Sequence, residues 1–461
     1  MEFVVGILLL LTFFGLAYYC IKGHNLMIGF LIITILWTAL SFLGAAFASP
    51  EFLSTTAFYS NGEPVKAIAI LNKIYQSAPE GWGTTLVNVC WGAWFGRVLM
   101  ETGIASTLIR KTVELGGDKP MVTIALLNIV TAIIFTAMTG AGPVIAIGVI
   151  VLPIMMSLGV PKAIAMFSFM ESVAAGIYLN PVNFAQYRAF FIDVDEMPDF
   201  TLGWYAGKWG YAALIISVVV TTILAAFFLK KSKTSHAWAA QTRGASEQKD
   251  APLYTLILPI VPVVLKIWLD FSVIGGFVIA GFAALFLCGK MKGSFKENCQ
   301  LVNKLYYDGV VDTAPLVGFL LTLPMFNSVA TYASPFFKAV LGPIMPKSEL
   351  VVCILFAVLL ALGLFRGPMT LVGCGAATLG VLRGVASFSV PFLYCVFAIP
   401  TITVNIGSCI TQSWVAWGLA YTKVESKDYL KLSIPMTYIC GILLYILTFV
   451  TMSGLGAEWF V

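Results

Sequence analysis

Long apolar runs alternate with short polar stretches from one end of the chain to the other. Six apolar segments precede a long polar stretch and six follow it. Runs of roughly 20 apolar residues predict helices that cross a lipid bilayer. The segments lie at about 3–19, 26–47, 83–105, 121–158, 162–192 and 203–229, and then at about 253–269, 272–289, 301–332, 349–382, 390–421 and 432–454.

The polar stretch "KKSKTSHAWAAQTRGASEQKDA" (230–251) divides the chain in two. It is the one long stretch that is rich in Lys, Ser and Gln, which is typical of a linker. We therefore predict a first repeat over 1–229, a linker over 230–252 and a second repeat over 253–461.

The two halves match under a shift of 225 residues. In each half a Gly-Pro pair is followed, 38 residues after the glycine, by an asparagine in the next long segment. The matched positions are Gly142-Pro143 with Gly367-Pro368, Gly148 with Gly373, Asn180 with Asn405, and Asn183 with Ser408. This shared spacing predicts an internal repeat, although overall identity between the halves is low.

The placement of lysines and arginines indicates the topology. The basic linker is expected in the cytoplasm, as are the loops 290–298 and 423–431 with three lysines each. The acidic loop 193–200 and the loop 48–82 are expected outside. These assignments agree only if 121–158 and 349–382 enter and leave the membrane on the same side. The sequence therefore predicts an all-α polytopic protein of two inverted repeats. It would have about ten transmembrane helices, two re-entrant hairpins and both termini outside.

Helix breakers and polar residues interrupt four of the long segments. The interruptions are "TGAGP" (139–143) and "FRGP" (365–368) in the hairpins, and "YLNPVNFAQYR" (178–188) and "TVNIGSCITQS" (403–413) in the segments that follow them. Such backbone is tolerated at membrane depth only where protein or a water-filled cavity satisfies it. Inverted repeats with discontinuous helices are the architecture of secondary transporters. We therefore expect the four breaks to converge on a solute site.

The breaks supply the candidate binding residues. Helix N-termini favour an anion, while unwound carbonyls and Asn side chains suit a small cation. The predicted substrate-binding residues are Arg366, Gly367, Thr370, Thr139, Gly140, Gly142, Asn180, Asn183, Asn405, Ser408 and Thr411. The predicted coupling-ion residues are Glu171, Asn180 and Asn405.

Arg366 and Glu171 are charged residues inside long apolar segments, where a charge is costly and needs a reason. A guanidinium near the membrane midplane is costly, and its planar fork suits a carboxylate, so Arg366 either contacts the solute or pairs with a protein carboxylate. Arg188 is a weaker candidate for the same role. Glu171 either carries a coupling proton or is a buried carboxyl that bonds a neighbouring helix.

Two other acidic residues have ordinary local interpretations. Glu101 is expected to pair with Arg97 four residues before it. Asp312 is expected to be solvated near the cytoplasmic start of its helix.

Composition narrows the class of protein. The chain of 461 residues is 59% hydrophobic and 11% charged, which a soluble domain of this length does not accommodate. The net charge of +5 and the scattered nine cysteines indicate neither nucleic-acid binding nor a disulfide framework. The sequence contains no HExxH, P-loop or GxSxG motif. We expect no enzyme activity, no metal and no cofactor beyond a coupling H⁺ or Na⁺.

The stretches "FGRVLMETGIASTLIRKTVELGGDKP" (95–120) and "VDTAPLVGFLLTLPMF" (311–326), with the "TGAGP" tip, resemble the ion transporter superfamily. The resemblance is greatest to gluconate-permease-like organic-anion transporters. It implies a bacterial inner-membrane carrier with an elevator mechanism and a homodimeric assembly. The Ser-Asn-Thr tips typical of divalent-anion carriers are absent, so the identities of the solute and the coupling ion are not implied.

Two functions remain open from the sequence. The first is a cation-coupled symporter for a small organic anion, such as a hydroxy- or sugar-acid carboxylate. The alternative is a Na⁺/H⁺-type cation exchanger in which Glu171 and the two asparagines bind cations alone. Arg366 discriminates between them, because an anion site has use for a guanidinium and a cation site is repelled by it.

Overall fold

The structure is a computed structural model that describes residues 2–22, 24–60, 62–117, 119–191, 197–232, 250–343, 346–373 and 375–460. Most of these residues are helical. A two-stranded antiparallel sheet pairs β1 (Tyr59–Ser60) with β2 (Glu63–Pro64). Most of the predicted linker (233–249) and part of the acidic loop (193–196) lie outside the described residues.

The helical elements before the linker are α1 (Glu2–Ile21), α2 (Leu26–Phe47), α3 (Pro50–Ser54), α4 (Ala67–Asn72), a π-helix (Lys73–Ser77), α5 (Ala78–Gly81), α6 (Gly83–Glu101), α7 (Ile104–Gly116), α8 (Pro120–Phe135), α9 (Ala141–Ser157), α10 (Lys162–Ile177), α11 (Pro181–Arg188), α12 (Leu202–Tyr205), a π-helix (Ala206–Gly210) and α13 (Tyr211–Lys231). The π-helical turns interrupt the helical chain at two places, between α4 and α5 and between α12 and α13.

The helices after the linker are likewise interrupted by short 3₁₀- and π-helices. The elements are a 3₁₀-helix (Leu253–Ile257), α14 (Val261–Leu269), α15 (Val273–Leu287), α16 (Phe295–Leu341), α17 (Glu349–Val358), a 3₁₀-helix (Leu360–Arg366), α18 (Gly375–Val385), α19 (Val390–Ile399), a π-helix (Pro400–Ser408), α20 (Ser413–Thr422), α21 (Ser426–Met452) and a 3₁₀-helix (Ala457–Trp459).

Length and hydropathy support several membrane crossings. Within the described ranges, four helices are long and apolar enough to span a bilayer, or up to six if each bent pair is one span. The bent pairs are α10 with α11, at 66°, and α17 with the 3₁₀-helix after it, at 63°. The prediction of a multi-pass helical membrane protein is confirmed, while the number of ten crossings stays a prediction.

The longest helix, α16, extends well beyond the predicted segment 301–332. Its 47 residues make it about 70 Å long, more than twice the roughly 30 Å hydrocarbon core. A capping box starts it: the Glu297 backbone N–H donates to the Ser294 hydroxyl, and the Ser294 backbone N–H donates to the Glu297 carboxylate. That backbone hydrogen bond lowers the pKa of Glu297. The polar stretch 295–304 therefore continues the helix instead of forming a loop.

Two helices are buried on all sides. Every residue of α10 from Ile164 to Ile177 is buried, and so is all of α19 with the following π-helix, Val390–Ser408. The two elements pack on one another. A helix that is apolar and buried all round belongs to the centre of a large helical protein. These two central elements carry the predicted breaks, so the breaks lie in the protein core.

The segment 48–82, which we expected to be an external loop, contains three short helices and a π-helix. The last of these, the stretch 73–82, packs against α16. The side chains of the segment 67–82 alternate between a few buried apolar residues, such as Ile70 and Ile74, and exposed polar ones. That pattern is too short and too polar to predict a span, but it is sufficient to fold on an existing helix surface.

Candidate functional site

In the first break, Asn180 ties the helix start to the first hairpin. It caps α11, because its side-chain oxygen accepts hydrogen bonds from the backbone N–H groups of Val182 (3.0 Å) and Asn183 (3.2 Å). Its amide nitrogen donates to the carbonyls of Phe135 and Met138, both at 3.1 Å. These two carbonyls lie at the end of α8 and in the turn before α9. Both donor positions and both acceptor positions of the amide are therefore engaged.

The second break has a different polar arrangement. The chain passes from α19 into the π-helix Pro400–Ser408 and then becomes extended at Cys409. Asn405 lies in this π-helix and is fully buried, and neither its amide nitrogen nor its oxygen has a hydrogen-bond partner among the described residues. Buried polar groups are nearly always paired, so an unpaired amide indicates a place for a solute, an ion or water. Single π-helical turns are frequent at functional sites.

The two breaks contact each other directly. The Tyr178 hydroxyl and the Thr403 hydroxyl lie 2.7 Å apart, in the first and second breaks respectively. These two residues are 225 positions apart in the sequence, which is the shift that relates the two halves.

Glu171 comes from the first half but meets the second break. Its side chain is buried, and the Ser408 hydroxyl lies 2.7 Å from its Oε1 atom. The Ser408 hydroxyl is also 3.0 Å from that of Thr437. The other carboxyl oxygen, Oε2, has no hydrogen-bond partner among the described residues. Gly407 packs so closely on this carboxyl that a Cβ there would overlap it.

The tip of the second hairpin docks on the second break. Phe365 and Arg366 both have left-handed backbone conformations, with φ of 55° and 56°. The Phe365 N–H donates to the Cys409 sulfur at 3.1 Å, and the Arg366 guanidinium donates to the side-chain oxygen of Gln412 at 3.2 Å. The guanidinium is half-buried. The structure thus brings Arg366 to the same break that contains Asn405.

Other predicted residues of this hairpin shape its tip. The Thr370 hydroxyl donates to the Gly363 carbonyl at 2.8 Å and closes the turn. Gly367 lies against the carbonyls of Leu362 and Leu364, so a Cβ there would overlap the backbone. The Thr411 hydroxyl lies 3.0 Å from the Cys409 sulfur, beside the docked tip.

The first hairpin tip lies near an ion pair that the sequence does not reveal. Thr139 is buried, and Gly140 has a φ of 97° that favours glycine. The adjacent Gly142 packs on Asp312 of α16, whose two carboxyl oxygens each lie 2.6 Å from the guanidinium of Arg97 on α6. The tip therefore rests on a bidentate ion pair.

Two local interpretations were wrong. Arg97 pairs with Asp312 and not with Glu101, which lies 3.3 Å from Lys290. The Asp312 side chain is only 16% exposed, so its carboxylate is stabilised mainly by Arg97 and not by solvent. The sequence offered a helical i, i+4 pairing for Arg97, but the true partner is 215 residues away and only tertiary packing brings it close.

Asn183 and Arg188 follow the first break in α11. The Asn183 amide nitrogen donates to the Tyr187 hydroxyl at 3.2 Å, while its oxygen has no partner among the described residues. The Arg188 guanidinium donates to the Met197 carbonyl at 2.6 Å, which anchors the chain after the helix.

Comparisons with known proteins place the fold. No protein-family model matches the chain, and no curated protein sequence matches it. A solved structure that resembles it is MtrF of Neisseria gonorrhoeae, described as illuminating a class of antimetabolite efflux pumps. The TM-score is 0.63 at 13% identity, over 94% of this chain and 96% of MtrF. The protein therefore has the fold of a membrane transporter.

Proposed function

We propose that the protein is a secondary active transporter of the elevator type, a cation-coupled symporter for a small organic anion. The solute would be a hydroxy- or sugar-acid carboxylate. The transporter fold shared with MtrF supports the general class. The docking of Arg366 on the break that holds Asn405 is the observation that carries the choice of an anion.

Contacts between the halves support the proposed inverted repeats. Residues related by a two-fold axis touch where the axis passes between them, and Tyr178 and Thr403 do so at 2.7 Å. The final helices of the two halves, α13 and α21, also pack together and run antiparallel. Ser217 and Thr221 of α13 contact Cys440 at 3.5 Å and Met436 at 3.9 Å, and Trp209 in the π-helix before α13 contacts Thr448 at 3.0 Å.

The charge at the second tip suits a carboxylate. The Arg366 guanidinium donates to the neutral side-chain oxygen of Gln412, which helps to orient the guanidinium at the second break. A carboxylate bound beside Gln412 would gain a charge-assisted hydrogen bond. Asn405 can then donate to or accept from a hydroxyl of the same solute, because neither its amide nitrogen nor its oxygen has a partner among the described residues.

Coupling is proposed to involve Glu171. In its neutral form this carboxyl adds no net charge to the core, and loss of the proton would leave an anion there at high cost. The contact with Ser408 connects the protonation of Glu171 to the second break. Na⁺ held by the oxygens of Asn405 and of the π-helix is the second possible coupling ion.

One observation favours the alternative of a Na⁺/H⁺-type exchanger. Oε2 of Glu171 and the Asn405 side-chain oxygen are both buried without partners among the described residues, and oxygen atoms are the ligands that hard cations prefer. The two functions differ in whether a carboxylate binds at all. A homodimer in a bacterial inner membrane, proposed from the resemblance, and a cytoplasmic linker, proposed from its basic charge, apply to both functions.

Thermal unfolding of the purified protein tests the symporter. Gluconate and sorbitol present similar hydroxyls, but only gluconate carries a carboxylate. We therefore expect gluconate-like acids to raise the midpoint temperature of unfolding and sorbitol to leave it unchanged. Each acid is measured with Na⁺ and with choline, at pH 6 and pH 8. Stabilisation by Na⁺ or by pH alone, with no acid active, would favour the exchanger.

A further inference from the structure

An open groove of about 700 Å³ lies where α6, α15 and the first turns of α16 meet. Its volume falls within the range of small-molecule binding sites. The lining residues that the structure describes are mostly large and apolar, and they include Trp91, Trp94, Phe282, Phe286, Phe295 and Tyr306. None of these described residues is a predicted substrate or coupling residue, so the groove is separate from the breaks.

The groove opens onto an apolar outer surface of the protein. The rings of Phe286 and Phe295 in its lining are 62% and 86% exposed. Ile279, which lies outside the lining on the same helix as Phe286, is also exposed. In a multi-pass membrane protein, an exposed apolar face of this kind is covered by the acyl chains of the bilayer. The groove is therefore accessible to lipid.

A charged level lies close to the groove. The helix α15 ends at Leu287, and Lys290 just after it lies 3.3 Å from Glu101, the last residue of α6. Trp94 precedes Glu101 on the same helix by about two turns, or roughly 10 Å. The groove therefore spans the boundary between the apolar surface and the polar helix ends. In a bilayer this boundary is where the ester groups of a phospholipid lie, between its headgroup and its acyl chains.

One polar group in the wall of the groove lacks a partner. Trp94 is fully buried, and its indole Nε1–H has no hydrogen-bond partner among the described residues. The ring is held in place, because its six-membered end lies against Gly281, where a Cβ would overlap it, and because Trp91 packs on it with centroids 5.5 Å apart. Buried indole N–H groups usually have an acceptor. An occupant of the groove that carries an oxygen acceptor would supply one.

We propose that this groove binds a phospholipid of the surrounding membrane, with its apolar part against the aromatic wall and an ester carbonyl that accepts a hydrogen bond from the Trp94 indole. A phospholipid combines an acyl chain with a neutral oxygen acceptor at the depth that the groove requires. A second copy of the chain docked through the same groove would bring mostly apolar side chains to the indole. The lipid therefore matches both the apolar lining and the unpartnered donor.

Competition between an ester lipid and an ether lipid tests the hydrogen bond. The full-length protein in detergent is titrated with equal amounts of dipalmitoyl phosphatidylcholine and its dihexadecyl diether analogue, which has the same headgroup and similar chains but no ester carbonyl. Native mass spectrometry gives the ratio of the two in the first bound lipid. We expect the wild-type protein to favour the ester lipid by about three- to ten-fold, the effect of one neutral hydrogen bond. Trp94→Phe removes the N–H and should abolish that preference, and an unchanged preference would overturn the proposal.

A pair of tryptophan substitutions tests the location of the lipid. Asn303→Trp fills the groove from an exposed lining position, whereas Ile279→Trp adds the same side chain on the exposed surface of α15 outside the lining. We expect Asn303→Trp to lose one bound phospholipid and Ile279→Trp to retain it. Equal retention of lipid by the two variants would overturn the site. Loss of a dimer in Asn303→Trp with lipid binding unchanged would also overturn it and would indicate a contact between copies. Transport is not measured in either test, so its absence would contradict the proposed function alone.

Discussion

At the scale of single residues, the two matched asparagines have different surroundings. The four hydrogen bonds of Asn180 hold α11 to the first hairpin, while the amide of Asn405 has no partner among the described residues. The sequence predicted both positions by the same shift but could not separate them, because hydrogen-bond occupancy depends on which backbone atoms the fold brings near.

The different surroundings predict different effects of removing each amide. Asn180→Ala should lower the free energy of unfolding by about 1–3 kcal/mol, since it removes a helix cap and two tertiary hydrogen bonds. Asn405→Ala should leave stability nearly unchanged and weaken solute or Na⁺ binding. Chemical unfolding and binding measurements on both variants separate the two effects. Equal loss of stability in both would mean that Asn405 has a structural partner.

Arg366 carries the prediction about the solute. Arg366→Lys keeps the charge and loses the planar fork, so binding should weaken while the preference for anions persists. Arg366→Ala should weaken binding by about 2–5 kcal/mol, as for a charge pair that loses one partner. Calorimetric titration of the acid that stabilises the wild-type protein measures both variants. Wild-type affinity in Arg366→Ala would mean that this arginine has a structural role, such as its contact with Gln412, and does not bind the solute.

Glu171 carries the prediction about coupling. Glu171→Gln retains the side-chain oxygen that meets the Ser408 hydroxyl, but it removes the group that exchanges a proton. Proteoliposomes with this variant should lose accumulation driven by a pH gradient and retain counterflow exchange of labelled solute. Unchanged accumulation would exclude the proton role and leave Na⁺ at Asn405 as the coupling ion.

At the scale of elements, the positions of the breaks could be predicted and their conformations could not. Asn, Gly and Pro inside long apolar segments indicated interruptions at 178–188 and 403–413, and the helices do end at Ile177 and Ser408. The π-helix that leads into the second break and the left-handed Phe365 and Arg366 have no such signal in the sequence, because packing against α10 and Cys409 selects those conformations.

The first hairpin tip has a steric prediction. Gly142 packs against the Asp312 carboxylate, which two hydrogen bonds to Arg97 prevent from moving away. Gly142→Ala should therefore destabilise the protein by about 1–3 kcal/mol through overpacking. Gly15→Ala is the matched control, because a Cβ there meets nothing within 4 Å. Unfolding in denaturant compares the two variants. Equal stability would show that the Arg97–Asp312 pair can move aside to make room for the added methyl group.

At the scale of the whole molecule, hydrophobic pattern and charge predicted the membrane class, and the fold shared with MtrF agrees. The sequence did not predict how the halves pack. Contacts such as Glu171 with Ser408, 237 residues apart, join the two halves. No local pattern of apolar and polar residues specifies a partner at that distance.

The orientation of the chain in the membrane decides whether the repeats are inverted. Five crossings in each half place both termini on one side of the membrane and the linker on the other, so that the second half starts on the opposite side from the first. The basic linker is expected inside, which puts both termini outside. Exposed Cys299 should then be labelled by an impermeant maleimide only after the cells are opened. Cysteines introduced by Ser232→Cys and Ser54→Cys should be labelled from inside and outside respectively. A C-terminal cysteine that reacts only from the cytoplasm would place the last crossing in the opposite direction. The antiparallel packing of α13 and α21 would then reflect ordinary helix contact and not an inverted pair.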